Sequence, residues 1–362
     1  MLKVLMIVRS TFYSDKGGDS VQAMQTAAGL NRKNILTDIR LTHEEIEYEK
    51  YDLIHFFNIT RPADILSHIR KSGKPFLVST VFLDYSEYDK HYRKGLSGAL
   101  LSLCSDDGVE YVKTISRWIL GKDKLVTPSY TWKGQRKCIT EILNGAAMLL
   151  PNSESEYRRL KEKYDVNTAY AVVPNGIDPG LFCMNRNFPK EQDLVLCVAR
   201  IEGRKNQLNL IKALRDTKFR LLIIGAAAPN QESYYRLCRE SSASNIQFIE
   251  FMPQQELVSY YQRAKIHILP SWFETTGLSS LEAAAMGCKI VITDKGDARA
   301  YFGSDAVYCD PASPENIYQS VEKASQLPYN ESLEKKILTH YTWEQATIRT
   351  IEAYKKVKNL WD

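Results

Sequence analysis

The sequence predicts an α/β protein of two domains, each built on a parallel sheet, and three observations predict it. Short apolar runs alternate with amphipathic stretches along all 362 residues, a rhythm that buries strands and lays helices on both faces of a parallel sheet. That length exceeds what one ordinary core serves. Midway, Pro174-Asn175-Gly176-Ile177-Asp178-Pro179-Gly180 interrupts the rhythm with a dense turn signal, and the alternation then restarts. The domains are expected over 1–180 and 181–342, with a terminal helix over 343–362 packing back onto the first.

In the first domain the apolar runs place strands over 2–8, 35–41, 52–57, 75–81, 147–150 and 169–173. Helices are expected near 20–30, 62–71, 109–120, 134–143 and 153–164. Ser153 and Glu156 stand at the spacing of a capping box for the last of these. The stretch 84–107 is rich in Tyr, Lys and Gly with little periodicity, and reads as a long surface loop with short helical pieces. In the second domain strands are expected over 194–199, 219–224, 246–251, 266–269, 290–293 and 306–309. Two doubly wound domains facing each other across a cleft are the natural product.

Composition excludes several classes. Hydrophobic content of 44% and charged content of 25% are those of a soluble globular chain. A net charge of +5 admits anionic ligands or lipid head groups. There is no dense basic run and no nucleic-acid motif, so nucleic acid is not expected as a partner. The seven cysteines are odd in number and form no C-x-x-C pair, which suits reduced thiols in a cytoplasmic protein. Together with six scattered histidines they suggest no metal site. The first nine residues carry charge too early for a signal peptide and read as a buried strand. No run approaches the ~20 apolar residues of a membrane span, so any membrane contact is expected to be peripheral.

The most informative stretch runs from Glu274 through Thr276, Gly277 and Leu278 to Glu282. An apolar run precedes it and a helical pattern follows, giving strand, tight loop, helix. A loop that opens a helix presents unpaired N–H groups and the positive end of the dipole, which suits a diphosphate. A carboxylate one turn into that helix can accept two hydroxyl hydrogen bonds, which suits a ribose. The alternative is that both acids only complement the helix dipole. Arg200 and Lys205, in the turn after strand 194–199, could converge on one anion, a fork and a point charge, or stand as a solvated basic turn. Gly17 and Gly18, before the first helix, allow close approach of backbone to a ligand, or form a flexible turn. They do not make G-x-G-x-x-G, so a nicotinamide enzyme is disfavoured.

Ser271-x-x-Glu274-x-x-Gly277-Leu278-x-x-x-Glu282, with Arg200-x4-Lys205 and Pro174-Asn175-Gly176, resembles the signature of retaining GT-B glycosyltransferases of the family-4, or group 1, type. The resemblance implies two Rossmann-like domains with an interdomain cleft and a nucleotide-diphosphate sugar as donor, a UDP-sugar before a GDP-sugar. The implied acceptor is a glycan or lipid-linked glycan of a bacterial surface polysaccharide, with a hexosyl or N-acetylhexosaminyl group transferred. No metal or other cofactor is implied. Glu274 would orient the donor sugar and Glu282 hold the ribose. Arg200, Lys205 and the amides of Thr276, Gly277 and Leu278 would stabilise the leaving diphosphate. Gly17 and Gly18 would face donor and acceptor, and the backbone at Phe251 and Met252 would meet the base. Many relatives carry a His-Asp pair after the fourth strand. Here Phe82 takes the place of the His, and Asp84 either contacts sugar or acceptor or caps a loop. His55 reads as a core or cleft-wall residue. The basic segment 90–94, with Trp132, Lys133, Arg136 and Lys137, could face a membrane-borne acceptor. A sugar-nucleotide epimerase and a non-catalytic sugar-nucleotide binder share this layout and stand as alternatives.

Overall fold

Eleven parallel strands form two separate sheets in the computed structural model, which describes residues 2–15, 17–89, 105–121 and 123–358. The chain divides into two compact units, Met1–Asn175 with Trp343–Asp362, and Gly176–Thr342. The division falls inside the 174–180 turn, five residues before the expected 180/181.

The first unit carries β1 (Lys3–Val8), β2 (Leu36–Leu41), β3 (Leu53–Phe57), β4 (Phe76–Ser79) and β5 (Met148–Leu150) in the order β2-β1-β3-β4-β5. β1, β3 and β4 are almost wholly buried, as continuous apolar runs in a sheet covered on both faces must be. The expected strand over 169–173 is reduced to a bridge between Leu149 and Tyr170, because β5 offers three residues for pairing. Trp343–Lys358 is one helix, fixed to this unit by the Tyr354 hydroxyl on His55 Nδ1 at 2.7 Å. Ser79 Oγ takes the other imidazole nitrogen at 2.9 Å, and burial lowers the His55 pKa to about 3. His55 is a neutral core residue.

The second unit carries β6 (Glu191–Val198), β7 (Arg220–Ile224), β8 (Ile246–Ile249), β9 (Ala264–Leu269), β10 (Lys289–Thr293) and β11 (Val307–Cys309), in the order β11-β10-β9-β6-β7-β8. The expected strand over 246–251 stops at Ile249. Pro253, which lacks an N–H, then caps the helix Gln254–Arg263.

Each order places a topological switch point. β1 has β2 on one side and β3 on the other, and β6 lies between β7 and β9. In open α/β sheets, ligands bind outside the carboxyl ends of strands at such points. The loops after β1 and β3 in the first unit, and after β6 and β9 in the second, are therefore the places to look.

Candidate functional site

The loops after β6 and β9 carry Arg200, Lys205 and Glu274. The turn Gly203–Lys205 opens the helix Gln207–Leu214, and Asn206 adopts φ +61° between them. The Asn206 side-chain amide donates to the carbonyls of Pro270 (3.0 Å) and Pro311 (2.8 Å), and Trp272 N donates to Arg204 O (2.9 Å). These bonds pin the β6 loop to the β9 loop. Lys205 Nζ then meets Glu274 Oε1 at 2.5 Å, both side chains largely buried. Two groups 69 residues apart in sequence form one charge pair.

Arg200 is 3.4 Å from Glu202 Oε1 and Arg204 is 3.1 Å from Oε2. Burial pushes the Glu202 pKa up, but Arg204, Arg200 and Lys205 outweigh it and the net shift is downward. Glu202 was not singled out from sequence; its signal was an acid set between three cations.

Glu274 lies against the turn after β10. Its N–H donates to Lys295 O (3.1 Å) and its carbonyl accepts from Asp297 N (2.7 Å). Gly296 sits between them at φ +99°, where a Cβ would stand 2.2 Å from Glu274 O. This brace was also missed; the glycine that ends the β10 run was its only trace in sequence.

Gly277, at φ +72°, caps the helix Leu278–Ala285, so the N–H groups of its first turn point out of the helix beside Glu274 in sequence. Thr276 is buried, with its hydroxyl 3.1 Å from Tyr301 OH. Ser279 Oγ donates to Val198 O at 2.8 Å and ties this helix to the end of β6.

Glu282 is a buried carboxylate in the apolar run Leu281–Ala285. Its Oε1 accepts from Gln254 Nε2 (2.6 Å) and its Oε2 from Tyr261 OH (2.8 Å). Burial raises its pKa, the two hydrogen bonds oppose it, and the result is about 7. A carboxylate held at such a pKa inside an apolar helix points to a functional position. Gln254 opens the helix that directly follows Phe251 and Met252. Phe251 is 74% exposed and Met252 half-buried.

In the first unit, Gly17 caps the helix Gly18–Arg32, and the loop before it is folded around Arg9. Arg9 pairs with Asp19 at 2.9 Å and also bonds Thr11, the Asp15 carbonyl and Ser20. Asn58 leaves β3 at φ +70° and reaches Asp19 at 3.4 Å. Both loops of this switch point thus meet.

After β4, Phe82 is buried, with Arg159 5.2 Å and Lys163 5.6 Å from its ring centre. Glu156, fully buried, accepts from Thr80 Oγ1, from Phe82 N (2.9 Å) and from Asn152 N (3.1 Å). It thereby holds Val81 at φ +41°, a region β-branched residues avoid. The expected capping box is half realised. Ser153 Oγ accepts from Glu156 N (3.1 Å), but the Glu156 carboxylate turns to the β4 loop instead. Asp84 Oδ1 accepts from Ser86 N at 3.0 Å, the bond of an Asx turn. The segment 90–94, with His91, lies outside the described residues.

Among the described residues no cluster of His, Cys, Asp and Glu could hold a metal ion, and no helix is long and apolar enough to cross a membrane.

Comparison with known proteins follows the same division. Residues 184–338 match the family model described as "Glycosyl transferases group 1". A D-inositol 3-phosphate glycosyltransferase of Corynebacterium aurimucosum is 26% identical, covering 78% of this chain and 76% of its own. An O-antigen chain mannosyltransferase B of Escherichia coli is 25% identical over 45% of this chain and 46% of its own. Among solved structures, sucrose-phosphate synthase from Thermosynechococcus elongatus superposes with a TM-score of 0.77 at 15% identity, covering 99% of this chain and 100% of that one. Anabaena HepE in complex with UDP and glucose gives 0.68 at 12% identity, covering 98% and 100%. These likenesses establish the fold as GT-B.

Proposed function

We propose, from the match of residues 184–338 to the glycosyl transferases group 1 family model, that the chain transfers a sugar from a nucleotide-diphosphate donor with retention at the anomeric carbon. One observation carries the reading. Arg200, Lys205, Glu274 and the amino end of the helix Leu278–Ala285 stand on the loops that flank one switch point, and Glu282 lies one turn further into that helix.

The Lys205–Glu274 pair gives donor binding a defined order of events. A diphosphate at the helix end draws the Lys205 ammonium, which releases the Glu274 carboxylate to accept from sugar hydroxyls. Arg200, Lys205 and the helix amides then offset the charge that grows on the leaving phosphate as the glycosidic C–O bond breaks. The acceptor oxygen bonds the anomeric carbon on the face the phosphate leaves, and the phosphate oxygen takes the acceptor proton. These cations do the work a divalent metal performs elsewhere. The complex of HepE with UDP supports a UDP-sugar as donor. The name of the O-antigen relative supports a surface glycan as acceptor; that this glycan is carried on a lipid and met at the inner membrane face is part of the same proposal.

The test is a pair of variants. Glu282→Ala is expected to lose most of the thermal shift given by UDP, a ligand that at 100 times its dissociation constant stabilises by about 2.7 kcal/mol. Glu274→Ala is expected to keep that shift and lose transfer. Full activity in both variants would reject the assignment.

A pH dependence follows from Glu282. Ribose hydroxyls donating to the carboxylate favour its ionised form, so nucleotide binding expels a proton wherever the free protein holds one. UDP affinity is therefore expected to fall as pH drops through about 7, by up to about tenfold for each pH unit. Titration calorimetry across that range should show it, and the dependence should be flat in Glu282→Gln.

A further inference from the structure

We infer that Gln254 is a specificity-determining residue of the nucleotide site, a second acceptor that works beside Glu282 to hold both hydroxyls of a ribose. The inference rests on the reading of Glu282 as the ribose carboxylate. It starts from an asymmetry. Glu282 is 7% exposed, and the two donors on its carboxylate have opposite surroundings. Tyr261, whose hydroxyl lies 2.8 Å from Oε2, is fully buried. Gln254, whose Nε2 lies 2.6 Å from Oε1, is exposed. A ligand hydroxyl therefore reaches the carboxylate past Gln254, at Oε1, and not from the side that Tyr261 closes.

A carboxylate oxygen has two lone pairs. Gln254 uses one of those on Oε1, which leaves the other for a ligand hydroxyl. A ribose brings two hydroxyls on adjacent carbons, so the second needs another acceptor next to the first. The Gln254 amide supplies it. An ionised carboxylate only accepts, so the amide nitrogen must face Glu282, and the amide oxygen is left for a further donor. The bond to Glu282 thus decides which atom of Gln254 the ligand meets.

The frame around this pair is built before any ligand arrives. Gln254 opens the helix Gln254–Arg263 and Tyr261 lies two turns further on the same face, so one helix grips the carboxylate at two points. Lys190 Nζ donates to Tyr261 O (2.7 Å) and to Met286 O (2.6 Å). It clips the carboxyl end of that helix to the carboxyl end of Leu278–Ala285, where a cation also suits the helix dipoles. Cys288 Sγ adds a contact to Tyr261 O at 3.3 Å. An acceptor pair held in register this way costs the ligand little ordering.

Titration calorimetry with UDP, 2′-deoxy-UDP and 3′-deoxy-UDP tests it. The wild type is expected to bind UDP roughly 3- to 10-fold more tightly than each analogue, the worth of one hydroxyl hydrogen bond. Gln254→Ala should bind UDP more weakly by a similar factor. It should also lose its preference over one analogue, the one lacking the hydroxyl that Gln254 holds. Its preference over the other, whose missing hydroxyl belongs to Glu282, should persist. A residue that only supported the fold would weaken all three ligands alike and keep both preferences, and that result overturns the inference. So does a loss of preference for UDP over CDP in Gln254→Ala with both deoxy preferences intact, because Gln254 would then read the base. UDP binding that Glu282→Ala abolishes, with deoxy preferences that Gln254→Ala leaves alone, rejects this inference and spares the proposed function. No UDP binding by the wild type rejects both.

Discussion

Gly296→Val is expected to lower transfer by at least about 100-fold and to destabilise the second unit by about 1–3 kcal/mol. The residue stands at φ +99°, and a Cβ there would meet Glu274 O at 2.2 Å and Glu274 N at 3.1 Å. No rotamer relieves that contact, because the opposing atoms are main chain. The same short stretch holds Glu274 by two backbone hydrogen bonds, to Lys295 O and from Asp297 N. The valine therefore either breaks both bonds or shifts Glu274 by about an ångström, a displacement of the size that costs a catalytic group its alignment. Gly303→Ala separates strain from position. That glycine also has positive φ (+54°), but nothing lies within 4 Å of its missing Cβ. It should lose stability and keep its turnover number. A Gly296→Val protein with wild-type turnover would show that Glu274 does not need this brace.

Much of the second unit was legible in the sequence, and the reason is local. Strand, glycine turn and helix follow one another within 264–285, so periodicity and turn chemistry fixed the position of Glu274 relative to Glu282 before any tertiary contact was known. The same holds for Arg200 and Lys205 on one turn. What the sequence hides is pairing across distance. Lys205 and Glu274 neutralise each other, Gly296 braces Glu274 from a third loop, and Tyr261 and Gln254 each donate one hydrogen bond to Glu282. The first depends on the strand order, which places β9 and β6 side by side although two strands separate them in the chain; the second depends on β10 lying against β9, and the third on the helices before and after β9 packing together. In the first unit less was legible. Glu156 reads as half of a capping box, because Ser-x-x-Glu is a local pattern, yet its carboxylate serves a loop 74 residues away. Phe82, expected from the resemblance to stand in place of a histidine, is buried with Arg159 and Lys163 over its ring.

That loop yields the second large effect. Glu156→Gln is expected to cost about 2–4 kcal/mol, because the carboxylate accepts three hydrogen bonds in a site sealed from water and an amide can accept at only one of its two atoms. The loss has a structural target. Val81 at φ +41° carries about 1–3 kcal/mol of backbone strain, and its neighbours Thr80 and Phe82 are the two residues Glu156 grips. Once the grip weakens, Val81 is free to return to negative φ. That carries Phe82 out of its packing and displaces Asp84, two residues on. The cycle with Val81→Gly isolates this coupling. Glycine adopts positive φ without strain, so the turn persists without the clamp. Glu156→Gln should then cost at least about 1 kcal/mol less in the Val81→Gly background than in the wild type. Turnover lost in Glu156→Gln should return in part in the double variant, while UDP binding, proposed for the second unit, should stay constant throughout. Strict additivity in both stability and turnover would mean that Glu156 is an ordinary buried acceptor and that the strained turn holds itself.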